Sequence, residues 1–304
     1  MIRFKRLSPA LLNSWLVGKQ LPNSESPLYR LRLWREDPNG LAAIKSELIE
    51  YLDEAFDDAR IRLRKGFEDS LSPFVAPPQD PAANYPAMLH QVTLQGYLGE
   101  TLAVLAVEHW GAAGHTDWVI PAFLFRLHDQ EFQHLELINQ RLAAGEAYDP
   151  NAEAEQRPGR TGDDGLAFRI NDQNVITDIL TLEAKCVGAN RPKLIEDAHE
   201  KLAAGSKTPT GIRELISILA EYNTPEAQSW QQALLQLRAS NCLNATRYDG
   251  IAYACGAIPQ QVNRISWMKA DAPHPSYTVQ RHLEGMEFQF TDMPNLIDTL
   301  YRGN

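Results

Sequence analysis

Apolar and polar positions alternate along Tyr29-Arg-Leu-Arg-Leu-Trp34, a period of two that predicts a strand. The next segment changes period. Leu41, Ile44, Leu48, Leu52 and Phe56 recur at helical spacing, while Glu50, Asp53, Glu54, Asp57 and Asp58 crowd the polar side, so residues 41–64 read as an amphipathic helix. Five prolines between residues 73 and 86 break the pattern and mark a linker. Residues 88–110 then form a strongly apolar helix that carries Gly96, Gly99 and Glu100. A glycine costs about 1 kcal/mol in a helix interior, so both glycines point to close packing against a sheet.

Residues 119–127 and 135–142 follow as strand and helix candidates, and 143–162 is a polar loop. Leu166–Ile170 and Ile179–Leu182 are short apolar runs that read as strands. Pro192 opens a helix over residues 193–204, at a position where proline is favoured. Two more helices are predicted over 213–222 and 226–239, strands over 247–256 and 286–290, and a closing helix over 293–300. This order predicts an α/β or α+β fold with a mixed central sheet and flanking helices. The proline-rich break divides the chain into an N-terminal portion, 1–84, as a contact for DNA or a partner, and a main domain, 85–304.

Composition narrows the class. The 304 residues are 44% hydrophobic and 22% charged, ordinary values for a globular protein without membrane spans. No apolar run approaches the roughly 18 residues a spanning helix needs, and the basic start Met1-Ile-Arg-Phe-Lys-Arg lacks the apolar core of a signal peptide. Three widely spaced cysteines, Cys186, Cys242 and Cys255, make neither a disulfide framework nor a zinc knuckle, so a reducing cytoplasm is expected. The net charge of −10 counts against a free-standing nucleic-acid binder, which usually shows a basic face. Either a local basic patch contacts phosphate or a partner delivers the substrate.

One constellation predicts chemistry. Asp164 precedes the run at 166–170, and Glu183-Ala-Lys185 closes the run at 179–182. With the two strands side by side, Asp164, Glu183 and Lys185 converge, because Glu183 and Lys185 share a face at a period of two. Paired carboxylates offer hard oxygen ligands to a divalent cation. A lysine beside them suits phosphodiester hydrolysis, where it orients water or stabilises charge. Gly162 and Gly165 flank the acidic pair and let backbone come close to a ligand. Asp163 competes with Asp164 for the ligand role, and so does Asp178 in the stretch 171–180, a longer hairpin connection than such a site needs.

Glu100, the Gly-x-Asp-Gly of residues 162–165 and the strand ending Glu183-Ala-Lys185 together resemble the PD-(D/E)xK nuclease superfamily. The resemblance covers roughly residues 88–256. With Ile120-Pro121 and the late Met286-Glu-Phe-Gln-Phe290 strand, the chain also resembles the nuclease subunit of the Hachiman anti-phage system (HamA-like). It implies a restriction-endonuclease-like core: a helix bearing a Glu, a β-meander bearing the Asp and the Glu-x-Lys, then a helix and a further strand. Asp164 fits the family's Asp better than Asp163, because it stands directly before the apolar strand. The resemblance further implies that Asp164, Glu183 and Glu100 bind Mg²⁺, with Mn²⁺ able to substitute, and that Lys185 orients the attacking water. The expected activity is then DNA cleavage by a defence effector that a helicase-like partner regulates. The reading of a different class is a non-catalytic interaction subunit built on the same core.

Other clusters weigh less. His109, His115, Asp117, His128 and His134 crowd one region, but His109 and His115, like His128 and His134, stand six apart rather than the four of a one-face helical pair, so structural or surface roles are favoured. Arg30, Arg32 and Arg35 around Trp34 suit phosphate contact with base stacking, or, as the favoured alternative, a charged edge strand. Arg60, Arg62, Arg64 and Lys65 stand near a helix end, which attracts cations anyway. No Walker lysine loop and no Gly-x-Ser-x-Gly elbow occurs.

Overall fold

The computed structural model of the chain describes residues 7–22, 25–67, 80–121, 129–150, 152 and 163–303. Within them the fold is mixed α/β, with helices on both faces of a seven-stranded sheet. The chain begins α1 (Pro9–Trp15), β1 (Leu16–Lys19), β2 (Glu25–Ser26), β3 (Tyr29–Glu36) and α2 (Pro38–Phe67). It continues α3 (Gln91–Trp110), α4 (Asp129–Ala143), β4 (Gly165–Ile170), β5 (Ile176–Val187) and α5 (Pro192–Ala204). It closes α6 (Gly211–Ala220), α7 (Pro225–Ala239), β6 (Thr246–Cys255), β7 (Leu283–Gln289) and α8 (Met293–Tyr301).

The strands lie in the order β1-β3-β7-β6-β5-β4, and β2 also pairs with β3. The four central strands β3, β7, β6 and β5 are mutually parallel, while β4, β1 and β2 pair antiparallel with their neighbours. Parallel strands covered on both faces read as near-continuous apolar runs, and β7 is buried along its whole length. Leu180 and Leu182 of β5 point into a core shared with α2, α3 and α8. Val187 of β5 packs on the opposite face with Ile195, Ala198 and Leu202 of α5. Ile179 of β5 faces α6 and α7 with Leu166 and Phe168 of β4.

The sequence boundary at residue 84 divides the chain but not the sheet. β3, from the N-terminal portion, lies beside β7 with Tyr29 opposite Leu283, and Trp15, Leu48 and Phe56 join the same core as Leu102 and Phe288. Of the strand expected over 119–127, Val119 makes an isolated bridge to Phe168, and residues 122–128 lie outside those described. The linker expected over 73–86 lies partly outside them too, as do most of the polar loop and Gly162. No helix among the described residues is long and apolar enough to cross a membrane.

The β4–β5 connection is shorter than the sequence suggested. Asn171 Oδ1 accepts from the N–H groups of Gln173 and Val175, both at 3.0 Å, and Asn174 takes a left-handed φ of 63°. This local side-chain turn closes the hairpin within residues 171–175 and starts β5 at Ile176. Asp178 therefore belongs to the strand itself, opposite Arg169, which donates to it at 2.9 Å. It stands five residues before Glu183, about 17 Å away at roughly 3.3 Å per residue. That separation takes Asp178 out of the site.

Candidate functional site

The antiparallel register of β4 and β5 ends with Gly165 opposite Leu182, and one residue before it the Asp164 N–H donates to the Leu182 carbonyl at 3.1 Å. Asp164 and Glu183 meet on the side of the sheet that α5 covers, the side to which Val187 points, because both carboxylates reach Lys201 of that helix. β4 ends at this point while β5 runs on to Val187. The Asp164 side chain continues the ladder past that end, its Oδ2 accepting from the Ala184 N–H at 2.8 Å. A carboxylate held by a backbone amide is fixed in position, with its second oxygen directed elsewhere.

Glu183 is 1% exposed, and both its oxygens meet ammonium groups. Lys185 Nζ donates to Oε1 at 2.6 Å, and Lys201 Nζ, from α5, lies 2.5 Å from Oε2. Lys201 Nζ also stands 3.7 Å from Asp164 Oδ1 and so links the two carboxylates. Burial is the main force on the Glu183 carboxyl, and the neighbouring Asp164 charge acts in the same direction. Together they outweigh the two lysines and push its pKa up to about 7. For Lys201, burial disfavours the charge, but Asp164 and Glu183 outweigh it, so its pKa is raised.

Asp163 has another task. Its Oδ2 accepts from the Gly211 N–H at 2.9 Å and from Thr210 Oγ1 at 3.1 Å, which places the carboxylate at the N-terminus of α6. Of the two neighbouring aspartates, Asp164 is the one that faces Glu183.

α3 carries Glu100 against the other face of the sheet. A Cβ on Gly99 would come within 3.1 Å of Cys186 Cβ, so the helix backbone almost touches β5 there. Glu100, the next residue, is buried on this helix, which packs against the face opposite the one α5 covers. Among the described residues no three His, Cys, Asp or Glu side chains gather as a metal cluster. The carboxylate pair is the part of the expected set that the fold brings together.

Lys201 was missed by the sequence reading. Its helix buries Ile195, Ala198, His199 and Leu202, a helical stripe, and Lys201 adjoins that stripe. Only the crossing of α5 over β5 reveals that its ammonium reaches Glu183. Asp249 was missed as well. It sits wholly buried in β6, two positions along the same face from the neighbour of Glu183, and accepts from Tyr277 Oη at 2.8 Å and Arg281 Nε at 2.8 Å. An acid inside an apolar strand was the signal that could have found it.

The arginines and the lysine of the two basic clusters that the structure describes are paired. Arg30 and Arg32 pair with the buried Glu284 at 2.9 and 2.7 Å, and Arg35 donates to Gln289 at 2.9 Å. The guanidinium groups of that strand thus bind neighbouring strands rather than offering a free basic face. Arg60, Arg64 and Lys65 pair with Asp53, Asp80 and Glu221. His128 lies outside the described residues.

The donor set fits a hard divalent ion. Asp164 Oδ1 and Glu183 Oε2 already share one cation, the Lys201 ammonium, and oxygen ligands of this kind suit Mg²⁺ or Mn²⁺. Compared with models of protein families and with curated proteins, the chain matches none.

Proposed function

We propose that the chain is a Mg²⁺-dependent nuclease that hydrolyses DNA phosphodiester bonds. The observation that carries this reading is the convergence of Asp164, Glu183 and Lys185 on one face where β4 ends and β5 continues. Support also comes from the order of elements. A helix (α3), a bridge at Val119, the β4–β5 hairpin, a helix (α5) and the parallel strand β6 occur in the order the resemblance implies, with α4 inserted before β4 and α6 and α7 between α5 and β6.

Asp164 and Glu183 would hold the ion, and Mn²⁺ would substitute for Mg²⁺. When bound, the ion polarises the phosphate and neutralises its charge. Lys185, pointing to the same face as Glu183, orients the attacking water and stabilises charge that develops on the phosphate oxygens. Asp164 keeps its geometry through the Ala184 amide at Oδ2, so Oδ1, which faces Lys201, is the oxygen that would take the ion. Glu100, on the helix that packs against the other face of the sheet, is left out of the ligand pair. The resemblance extends the proposal to a cytoplasmic anti-phage effector regulated by a helicase-like partner, and the net charge of −10 favours delivery of DNA by such a partner.

The test is incubation of the purified chain with supercoiled and linear DNA, in Mg²⁺ and in EDTA, beside Glu183→Ala and Lys185→Ala. Metal-dependent nicking that both substitutions abolish supports the nuclease. The second reading, a non-catalytic interaction subunit, draws on one observation: Lys185 and Lys201 already satisfy both oxygens of Glu183. No cleavage together with no Mg²⁺ binding favours it.

A further inference from the structure

Lys201 stands where the divalent ion of the proposed nuclease would bind, and this inference rests on that reading. Its Nζ lies 2.5 Å from Glu183 Oε2 and 3.7 Å from Asp164 Oδ1, between the two oxygens assigned to the metal. An ammonium and a metal ion cannot share that position. Each is a cation, and each needs the same lone pairs. Lys185 differs, because it takes the other oxygen of Glu183, Oε1, and leaves Oε2 open.

Lys201 is also free to leave. Its side chain is 42% exposed, against 1% for Glu183, so the ammonium can turn to solvent while the carboxylate cannot. A lysine stem has four rotatable carbons and three donors that do not fix one geometry. The helix beneath it does not need to move. α5 is held near its start by the Arg191 N–H donating to Tyr253 Oη at 2.9 Å. Near its end Arg281 Nη2 donates to the Leu202 carbonyl at 2.8 Å, and Arg247 to the Ser206 carbonyl.

We infer that Lys201 is a built-in competitor of the metal: it neutralises Asp164 and Glu183 in the metal-free protein, is displaced when Mg²⁺ or Mn²⁺ binds, and thereby sets the metal concentration at which the site fills. Displacement leaves its ammonium beside the site, where a phosphate of the nucleic acid gives it a new partner. Metal and phosphate then bind with positive coupling, each favouring the state in which Lys201 has let go of Glu183.

The test is titration of the full chain with Mn²⁺ alone at pH 8, followed by electron paramagnetic resonance of the free ion, for the wild type, Lys201→Met, Lys201→Gln and Glu183→Ala. Thermal melts of each variant confirm folding, and the two lysine substitutions guard against one that perturbs the helix. Loss of a charged hydrogen bond that opposes the ion predicts Mn²⁺ binding about tenfold tighter in Lys201→Met and Lys201→Gln. Wild type that binds no Mn²⁺ beside lysine variants that do bind it supports the inference as well. A lysine that merely braces the carboxylates predicts weaker binding in the variants, and that result overturns it. Equal affinity, with binding lost in Glu183→Ala, also overturns it while leaving the metal site standing. Absence of binding in every protein overturns the inference and the metal-dependent reading together.

Discussion

The wholly buried Asp249 pairs with the half-buried Arg281 at 2.7 Å, and the same guanidinium donates to the carbonyl of Leu202, the residue after Lys201. A wholly buried acid in β6 thus fixes the end of the helix that reaches over the carboxylate pair. Arg247 adds a second tie, from the neighbourhood of Asp249 to Ser206. Asp249→Asn removes the charge that Arg281 and Tyr277 bind, and is expected to lower the unfolding free energy by about 2 kcal/mol in urea titrations. It should also speed amide hydrogen exchange in the last turn of α5 more than in its first, since Tyr253 still holds the start. Uniform exchange along α5 would remove the clamp from the account.

The Glu183 carboxyl is predicted to work against stability above neutral pH in the metal-free protein. Its folded pKa, about 7, lies above the ordinary 4.5, so folding favours the protonated form. The contribution is complete below about pH 4.5 and is lost as pH rises through 7. Glu183→Gln, which carries no such charge, is expected to gain in melting temperature relative to the wild type across that window, and most at pH 8. Adding Mg²⁺ at pH 8 should raise the melting temperature of the wild type and leave Glu183→Gln where it was. Melts at pH 5, 6, 7 and 8, with and without Mg²⁺, check both statements.

Periodicity made most of these elements legible. The alternation of Tyr29–Trp34 became β3, the stripe from Leu41 to Phe56 became most of α2, and Pro192 opens α5 as expected. The approach of Asp164 to Glu183 was readable too, because a two-strand register has few solutions once the apolar faces are matched. The length of β5 was not. Thr181, Glu183 and Lys185 interrupt its apolar run, and only the parallel partner β6, from Asp178–Thr246 to Val187–Cys255, shows that pairing continues through them. Nor was the face of the sheet that α3 covers readable. A helix that buries almost its whole circumference from Leu98 to Val107 has no apolar face by which to orient it. Lys201 depends on how α5 crosses the sheet, which no local pattern encodes.

His199, on the buried side of α5, is expected to make the fold sensitive to acid. Burial holds its pKa down to about 4, with His274 nearby acting in the same direction and the Ile195 carbonyl opposing. The unfolded chain takes up the proton near pH 6.5, the folded one only near 4, so stability falls as pH drops through that interval. Glu183 acts in the opposite sense over part of it, so the comparison must be between variants. His199→Gln should lose less melting temperature than the wild type between pH 6.5 and 4.5. Parallel curves for the two proteins would assign the acid sensitivity to other groups.

Two glycines of one helix are predicted to respond with opposite signs. On Gly96 a Cβ would meet nothing within 4 Å, whereas on Gly99 it would stand 3.1 Å from Cys186 Cβ and 3.6 Å from the carbonyl carbon of Lys185. Alanine is favoured over glycine in a helix interior by about 1 kcal/mol, and at Gly96 nothing opposes that gain. Gly96→Ala is thus expected to stabilise the protein by about 1 kcal/mol. At Gly99 the neighbour is a strand core rather than the tip of a flexible side chain, so a larger group must part α3 from β5. Gly99→Val is expected to cost about 3 kcal/mol, the upper range for overpacking. The second change also has a local consequence, because the contact lies beside Lys185. Urea denaturation measures the two stabilities, and Mn²⁺ titration shows whether Gly99→Val disturbs the carboxylate pair across the strand while Gly96→Ala leaves it intact.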